Sequence, residues 1–557
     1  MAPDLLSDLN EEQRRAADQV TGPVCILAGA GSGKTTTITR RIANQVTSGA
    51  FRPSEILAVT FTDKAAGEMR TRLRHLGVEG VRASTFHSAA LGQLRYLSDR
   101  PPGQILASKG LALRQIANSL PKPYRFRPAA DLATEVEWSR NRRIKPEAYR
   151  SSLGKHEPPI PADLMARVYR QYEEGKRKRG LIDFEDLLES AIQMFERDPD
   201  ALDRFQAKYR AVTVDEYQDA NLLQETLLRL WMGPRDDLCV VGDDYQSIYG
   251  FTGATPAYLL EMPRRFPRTL VARLEKNYRS TPQILEVANR LVPRLGGAEK
   301  VLEAQLDSGP AVVIKSVRNE AAEPPYVIER VRELHDAGTP YEEMAVLART
   351  NFRLDDYEEA FVDAGIPFRL ANAAFLGRQT FRQLRSQLAR MDRTDVSAAV
   401  RALADRVGYV EEPRADLAEQ ELTRQSDLAR AVRLAVEFDD GVRTTADFIV
   451  DVEARFGAGE GRGVNLLTYH RAKGLEFDAV FLPRLIEGDL PFKRSRSEES
   501  VAEERRLLYV GITRARSHLF MTWPRGSKLE PSSFLEELGV SGPGAAHRRT
   551  KALSGVR

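Results

Sequence analysis

An apolar run, Val24-Cys25-Ile26-Leu27, leads into Ala28-Gly29-Ala30-Gly31-Ser32-Gly33-Lys34-Thr35. A strand, a glycine-rich turn and Lys-Thr opening a helix form a cradle for a nucleoside triphosphate. Backbone N–H groups of the turn and of the helix N-terminus converge on the β- and γ-phosphates. Lys34 adds a point charge, and Thr35 offers its hydroxyl to Mg2+. Ala28 stands where the strict P-loop pattern has Gly. Taken alone, the fragment also fits a flexible loop with a stray lysine, so the rest of the chain has to decide. Farther along, Ala211-Val212-Thr213-Val214 reads as a buried parallel strand with Asp215-Glu216 at its C-terminal end. Open α/β sheets bind ligands at that end. One carboxylate can hold the Mg2+ of Mg-ATP, and its neighbour can take a proton from the attacking water. An acidic pair that merely caps a strand is common, but the upstream turn favours the catalytic reading.

The elements that must position these groups recur along the chain. Strand candidates near 23–28, 56–60, 211–214 and 238–241 form one set. A second set lies near 269–274, 345–348, 464–468, 479–482 and 519–523. Strands alternating with helical patterns predict an α/β protein with two parallel sheets. Residues 92–191 read as a helical insertion, and Arg140-Asn141-Arg142-Arg143 and Lys176-Arg177-Lys178-Arg179 are its densest basic runs. Such runs are either solvated helix faces or nucleic-acid contacts. Residues 393–461 form a second helical insertion, and 541–557 read as a disordered tail.

Composition narrows the class. At 557 residues the chain exceeds the size at which single cores stop growing. It is 42% hydrophobic and 29% charged, and no apolar run reaches the ~20 residues of a membrane helix. Met1 to Asn10 lacks the basic start of a secretory signal. The two cysteines, Cys25 and Cys239, fall in predicted buried strands and read as small core hydrophobes. A net charge of +3 means that any nucleic-acid binding must use a local basic surface.

Two α/β units suggest a nucleotide held in a cleft between them. Asn277-Tyr278-Arg279-Ser280 and the stretch from Arg505 to Ala515 could supply the second half-site. An arginine on the γ-phosphate can contribute ~10³–10⁵ in rate, and Tyr278 could stack on adenine.

With these clusters in place, the chain resembles superfamily 1 helicases of the UvrD/Rep/PcrA type, from residue 5 to about 540. Leu9 to Ala16 looks like the adenine-reading Q motif, and the P-loop follows it. Thr60 to Met69 looks like motif Ia and Thr85-Phe86-His87-Ser88 like the next DNA-contacting motif. Asp215-Glu216-Tyr217-Gln218-Asp219 matches motif II, and Val241 to Tyr249 matches motif III. Tyr278-Arg279 belongs to motif IV, Thr468 to Phe477 matches motif V, and Arg506 to Ala515 matches motif VI.

The resemblance implies two RecA-like domains: 1A over 1–91 and 192–272, and 2A over 273–392 and 462–540. Insertion 1B would span 92–191 and a reduced 2B 393–461. It implies ATP and Mg2+ as cofactors, with Lys34, Asp215, Glu216, Gln246, Arg279 and Arg514 carrying hydrolysis. Glu216 would be the base, Thr35 and Asp215 the metal ligands, and Gln246 the γ-phosphate sensor that couples to DNA. Gln13 would read the base edge, Ala28, Gly29, Ala30, Gly31, Ser32, Gly33 and Thr36 would complete the phosphate cradle, and Glu476 would reach the ribose. Thr60, Phe61, Thr85, His87, Tyr249, Phe251 and His470 would face DNA. Stacking on aromatic faces tolerates any sequence, which suits a motor on single strands. The implied activity is a 3′-to-5′ helicase or translocase on single-stranded DNA and single/double-strand junctions. Repair or replication proteins are the implied partners, in a bacterial, cytoplasmic, nucleoid-associated monomer or weak dimer. The alternative is a DNA-dependent ATPase that displaces proteins but unwinds poorly alone.

Three departures stand out. Motif III continues Phe251-Thr252-Gly253-Ala254 where the family usually has Trp-Arg-Gly-Ala, Thr36 stands where the family commonly has Arg, and the second insertion is short. Phe251-Thr252 with a reduced 2B resembles the second UvrD paralogue of actinobacteria. Its HRDC and four-cysteine modules have no counterpart here, as expected of either a minimal relative or a shortened chain.

Overall fold

The computed structural model describes residues 5–98, 102–122, 124–125, 128–370, 375–413, 417, 419–456 and 462–540. The tail expected over 541–557 lies outside the described residues. The chain divides into two compact units. Each is built on a six-stranded parallel sheet, so the α/β class and the two parallel sheets expected from the strand pattern are present, as the RecA-like domains implied by the resemblance require.

The first unit comprises Met1–Arg125, Ala129–Tyr278 and Gly296–Gln305. Its strands are β1 (Val24–Ala28), β2 (Ile56–Thr60), β3 (Arg82–Thr85), β4 (Ala211–Val214), β5 (Leu238–Gly242) and β6 (Leu270–Leu274). They lie in the order β3-β2-β4-β5-β1-β6. Successive side chains point to opposite faces, and the cores follow that alternation. Cys25, Leu27, Leu57, Val59, Val212 and Val214 enter one apolar cluster. Val24, Ile26, Ile56, Ala58, Ala211 and Cys239 enter the other. With both faces covered, the central strands read as unbroken apolar runs. Both cysteines are free and buried.

The strand near 269–274, grouped with the second set on sequence, is β6. It pairs with β1, from Val24 opposite Leu270 to Ala28 opposite Leu274. An apolar run reports burial, not the sheet it joins, and this one closes the edge of the first sheet. Strand β3 escaped notice because Arg82-Ala83-Ser84-Thr85 is a short, polar edge strand.

The first insertion carries the helices Lys109–Asn118, Ala129–Asn141 and Ala162–Arg179 around their own core of Leu113, Val136, Trp138, Tyr149 and Tyr169. Arg140, Arg143 and Lys176 of its basic runs are held by carboxylates. Arg140 pairs with Glu173 and Asp186, and Arg143 with Glu189. Lys176 is buried, 2.7 Å from Asp183 and 2.6 Å from Asp186. It is an internal counter-ion, a third outcome beside the solvated face and the nucleic-acid contact.

The second unit comprises Phe126–Pro128, Arg279–Leu295 and Leu306–Arg557. Its strands are β7 (Val313–Val317), β8 (Met344–Ala348), β9 (Phe368–Leu370), β10 (Val464–Thr468), β11 (Phe477–Leu482) and β12 (Ala515–Pro524), ordered β7-β12-β11-β8-β10-β9. The edge strands β7 and β9 are the ones the sequence did not announce. The helices Gln379–Leu388, Val396–Arg406, Glu419–Phe438 and Thr445–Phe456 enclose a separate core that begins at Phe375. Arg430 is buried there, with its guanidinium over Phe375 and Phe456 and an ion pair to Glu358.

Candidate active site

In the first unit, β1 ends at Ala28 and the chain turns through Gly31 (φ 64°) and Gly33 (φ 78°) into the helix Lys34–Thr47. Both positive φ values suit glycine. Gly29 N–H donates to Leu274 O at 2.9 Å, and Ser32 Oγ donates to Gly29 O at 2.8 Å. Asn277 Nδ2 donates to Ala30 O at 2.7 Å, and Tyr278 N–H donates to Gly31 O at 3.0 Å. Asn277 and Tyr278, assigned by sequence to the second half-site, therefore brace the P-loop within the first unit. Tyr278 stays half exposed, its hydroxyl accepting from Asn10 Nδ2 at 2.9 Å.

Gln13 is buried, and both ends of its carboxamide are engaged. Its Oε1 accepts from Asn10 N–H in a capping box, and its Nε2 donates to Ser32 O at 2.9 Å. The structure thus fastens Gln13 to the P-loop backbone at Ser32. Thr36 Oγ1 accepts from Arg72 at 3.3 Å, so a guanidinium reaches the position where the family commonly carries its own arginine.

At the C-terminal end of β4, Asp215 N–H donates to Val59 O, and Glu216 sits at φ 52°, a left-handed conformation unusual for a non-glycine residue. The Lys34 ammonium lies 3.3 Å from Glu216 Oε1. Burial opposes the Lys34 charge, but the carboxylates of Glu216, Asp243 and Asp215 outweigh it and raise its pKa. Burial, then the Glu216 charge, push Asp215 up to about 7. Such a pair attracts a cation. The Thr35 hydroxyl and the Asp215 carboxylate are hard oxygen donors, and Mg2+ binds through one or two such protein groups with phosphate oxygens and waters completing its shell.

A residue that sequence reasoning passed over joins motifs II and III. Gln218 Nε2 donates to Glu216 Oε2 at 2.5 Å, and its Oε1 accepts from Asp243 N–H at 3.0 Å. Gln246 Nε2 donates to Asp243 Oδ2 at 2.6 Å. Glu216 and Gln246 thus sit on one hydrogen-bonded chain. The same loop continues to Tyr249 and Phe251, whose rings meet edge to face at 6.1 Å, and Phe251 is 45% exposed. The loop is fastened by Asn141 Nδ2, which donates to Thr252 O at 2.8 Å.

The other DNA candidates of this unit lie at the ends of β2 and β3. Phe61 is half-buried, edge-on to Phe86 at 5.8 Å. Thr60 is buried, with no partner for its hydroxyl. Thr85 is buried, and its hydroxyl caps the helix Phe86–Leu97 by accepting from Ser88 N–H. His87 packs edge-on against Phe184 at 5.5 Å, and Phe184 is itself exposed. Phe184 is an exposed aromatic face that the sequence analysis did not single out.

In the second unit, Arg279 Nε donates to Glu476 at 2.6 Å and its guanidinium reaches Thr513 O at 3.3 Å. Arg514 is buried, donating to Val510 O, Leu475 O and Thr513 Oγ1. The fold therefore gathers Arg279, Arg514 and Glu476 at one place. Glu476 also lies 3.4 Å from Arg516. His470 is partly buried, and burial, with the charges of Arg349 and Lys473, pushes its imidazole well below the usual range.

Residues 9–267 match the UvrD/REP helicase N-terminal domain, and residues 272–407 and 379–526 match the UvrD-like helicase C-terminal domain. The ATP-dependent DNA helicase UvrD2 of Mycobacterium tuberculosis is 40% identical over 99% of this chain and 85% of its own length. UvrD1 of the same organism is 30% identical over 96% and 86%. PcrA of Bacillus subtilis is 29% identical over 93% and 83%. The P-loop, the Asp215-Glu216 pair and the arginine cluster thus sit in a sequence matched along nearly its whole length, and the chain belongs to the UvrD/Rep family of superfamily 1 helicases.

Proposed function

We propose that the chain is an ATP-dependent DNA helicase that moves 3′-to-5′ along single-stranded DNA in bacterial repair or replication. One observation carries the coupling of hydrolysis to DNA. A single loop holds Gln246, tied through Asp243 and Gln218 to Glu216, and five residues later presents the half-exposed ring of Phe251.

In this reading the P-loop backbone and Lys34 bind the β- and γ-phosphates of ATP. Glu216 orients the attacking water and takes its proton. Thr35 and Asp215 would hold Mg2+, which when bound neutralises charge developing on the phosphates. Arg279 and Arg514 supply the guanidinium charge that stabilises the transferring phosphoryl group. Loss of the γ-phosphate frees Gln246, and the shift passes along the loop to the stacking face of Phe251. Phe61, His87 and Phe184 would offer further faces to the strand.

The second reading is a translocase that displaces proteins but separates strands poorly alone. Thr252 favours it, because its hydroxyl turns back onto Tyr249 O at 2.9 Å and brings no cation beside Phe251. Strand separation on matched 3′-tailed and 5′-tailed duplexes, with ATP hydrolysis followed in the same reaction, tests both. Unwinding of the 3′-tailed duplex alone supports the helicase. DNA-stimulated hydrolysis without unwinding supports the translocase, and no DNA stimulation overturns both.

A further inference from the structure

After Tyr278 the chain leaves the first unit, and at Gly296–Gln305 it returns to it. This returning strap is anchored under both nucleotide motifs. Lys276–Asn277 pairs in parallel with Glu303–Ala304. The Leu302 side chain covers Gly29 of the P-loop so closely that a Cβ there would meet Leu302 Cδ2 at 2.3 Å. Gly297 lies against Asp244, where a Cβ would collide with the carboxylate, and Ala298 N–H donates to Asp244 Oδ2 at 2.9 Å.

Lys300 lies between these anchors, its side chain fully buried. Its ammonium donates to Asp244 Oδ1, lies 3.6 Å from Asp243 Oδ1 and sits 3.8 Å from the centre of the Tyr245 ring. Its backbone N–H donates to the Tyr245 hydroxyl at 3.1 Å. Asp243 and Asp244 are buried neighbours. Two adjacent buried carboxylates repel each other and keep their charge only beside a cation. Asp243 is also the acceptor that orients Gln246. The Asp243 carboxylate therefore has the Lys300 charge 3.6 Å from Oδ1, which accepts from Tyr245 N–H at 3.2 Å, while Gln246 donates to Oδ2.

We propose that Lys300 is a positioning residue for ATP turnover, holding Asp243 so that Gln246 stays aligned with the Gln218–Glu216 pair. The proposal rests on the ATP-driven reading above. Lys300 touches neither nucleotide nor DNA in this scheme; its charge acts through Asp243. Removing the charge would leave the P-loop's own phosphate donors in place while the carboxylate pair re-sorts its hydrogen bonds.

The test compares wild type, Lys300→Met and Lys300→Arg for steady-state ATP hydrolysis with and without oligothymidine, and for affinity of a fluorescent ATP analogue. Lys300→Met is expected to lower DNA-stimulated kcat at least tenfold with analogue Kd changed less than twofold. Lys300→Arg is expected to recover most of the rate. Lys300→Gln keeps a donor without the charge and stands in if the methionine variant does not fold. Unchanged kcat and DNA stimulation in a folded, charge-free variant overturn the proposal. A parallel fall in kcat and analogue affinity, not recovered by arginine, also overturns it by reducing Lys300 to a packing role. Absence of DNA-stimulated hydrolysis in wild type defeats the helicase reading itself, and that result is read without any variant.

Discussion

The Gln218 carboxamide donates to Glu216 at 2.5 Å and accepts from the backbone N–H of Asp243 at 3.0 Å. A neutral side chain thereby aims the candidate base and ties it to the loop that carries Gln246, the proposed nucleotide sensor. Gln218→Ala removes both bonds and leaves a buried N–H without its partner, a loss of ~1–3 kcal/mol. The expected result is a fall of about 10–100-fold in kcat with little change in ATP-analogue affinity, because no phosphate donor is lost. Glu216→Gln is the limiting case and should bind nucleotide while losing about 10²–10⁴ in turnover. Single-turnover hydrolysis beside equilibrium binding checks both, and normal hydrolysis by Glu216→Gln would remove Glu216 from its role.

Legibility in the sequence followed locality. The P-loop and Asp215-Glu216 could be read because strand, turn and charged residues are contiguous, and their chemistry demands those residue types. Gln218 was hidden because a glutamine between acidic residues has no distinctive chemistry until its partners are known. Lys300 was hidden for a stronger reason: its carboxylates lie far upstream, and only the returning strap brings it to Asp244. Lys176 looked like surface charge because a basic run signals exposure on average, whereas burial depends on the facing Asp183 and Asp186. The placement of β6 and of Asn277 failed alike, since no local pattern says which sheet a strand joins.

Gly29 has no room for a side chain. A Cβ would lie 2.3 Å from Leu302 Cδ2 and 3.5 Å from Leu274 O. Forcing a methyl into a filled site costs ~1–3 kcal/mol, and here the displacement falls on the phosphate-binding turn. Gly29→Ala should weaken ATP-analogue binding about 5–100-fold. Leu302→Ala in the same chain should recover much of it by opening the space. A double-mutant cycle on analogue Kd measures this coupling, and additive effects would show that the leucine does not set the glycine requirement.

His87 is held neutral. Burial, then the nearby Lys109 charge, push its imidazole down to about 4, although Asp183 and Asp63 pull the other way. The unfolded chain titrates near ~6.5. Between about 6.5 and about 4 the unfolded state therefore carries a proton that the folded state lacks. The stability this residue contributes is complete above that window and is lost as pH falls through it. His87→Gln should flatten the fall in denaturation midpoint between pH 6.5 and 4.5. Because the ring is neutral at physiological pH, the same variant should leave the slope of log Kd for single-stranded DNA against log salt unchanged. A slope shallower by about one would mean that a charged imidazole meets a phosphate.

Phe251 tests the end of the loop proposed to meet DNA. Its ring is 45% exposed and braced edge-on by Tyr249 at 6.1 Å, while Asn141 fixes the following backbone through Thr252 O. A rigid, half-open aromatic face of this kind stacks a base for ~1–3 kcal/mol. Phe251→Ala should therefore weaken oligothymidine binding about 5–150-fold and raise by a similar factor the DNA concentration needed to stimulate hydrolysis. Phe251→Trp should retain most of both, since the face is kept. ATP-analogue binding without DNA should hardly change, because Gln246 and Asp243 lie upstream of the truncated ring. Fluorescence anisotropy of labelled oligothymidine and DNA-titrated hydrolysis measure the two effects. Equal loss for alanine and tryptophan would mean that the loop's shape, rather than an aromatic face, supports DNA binding.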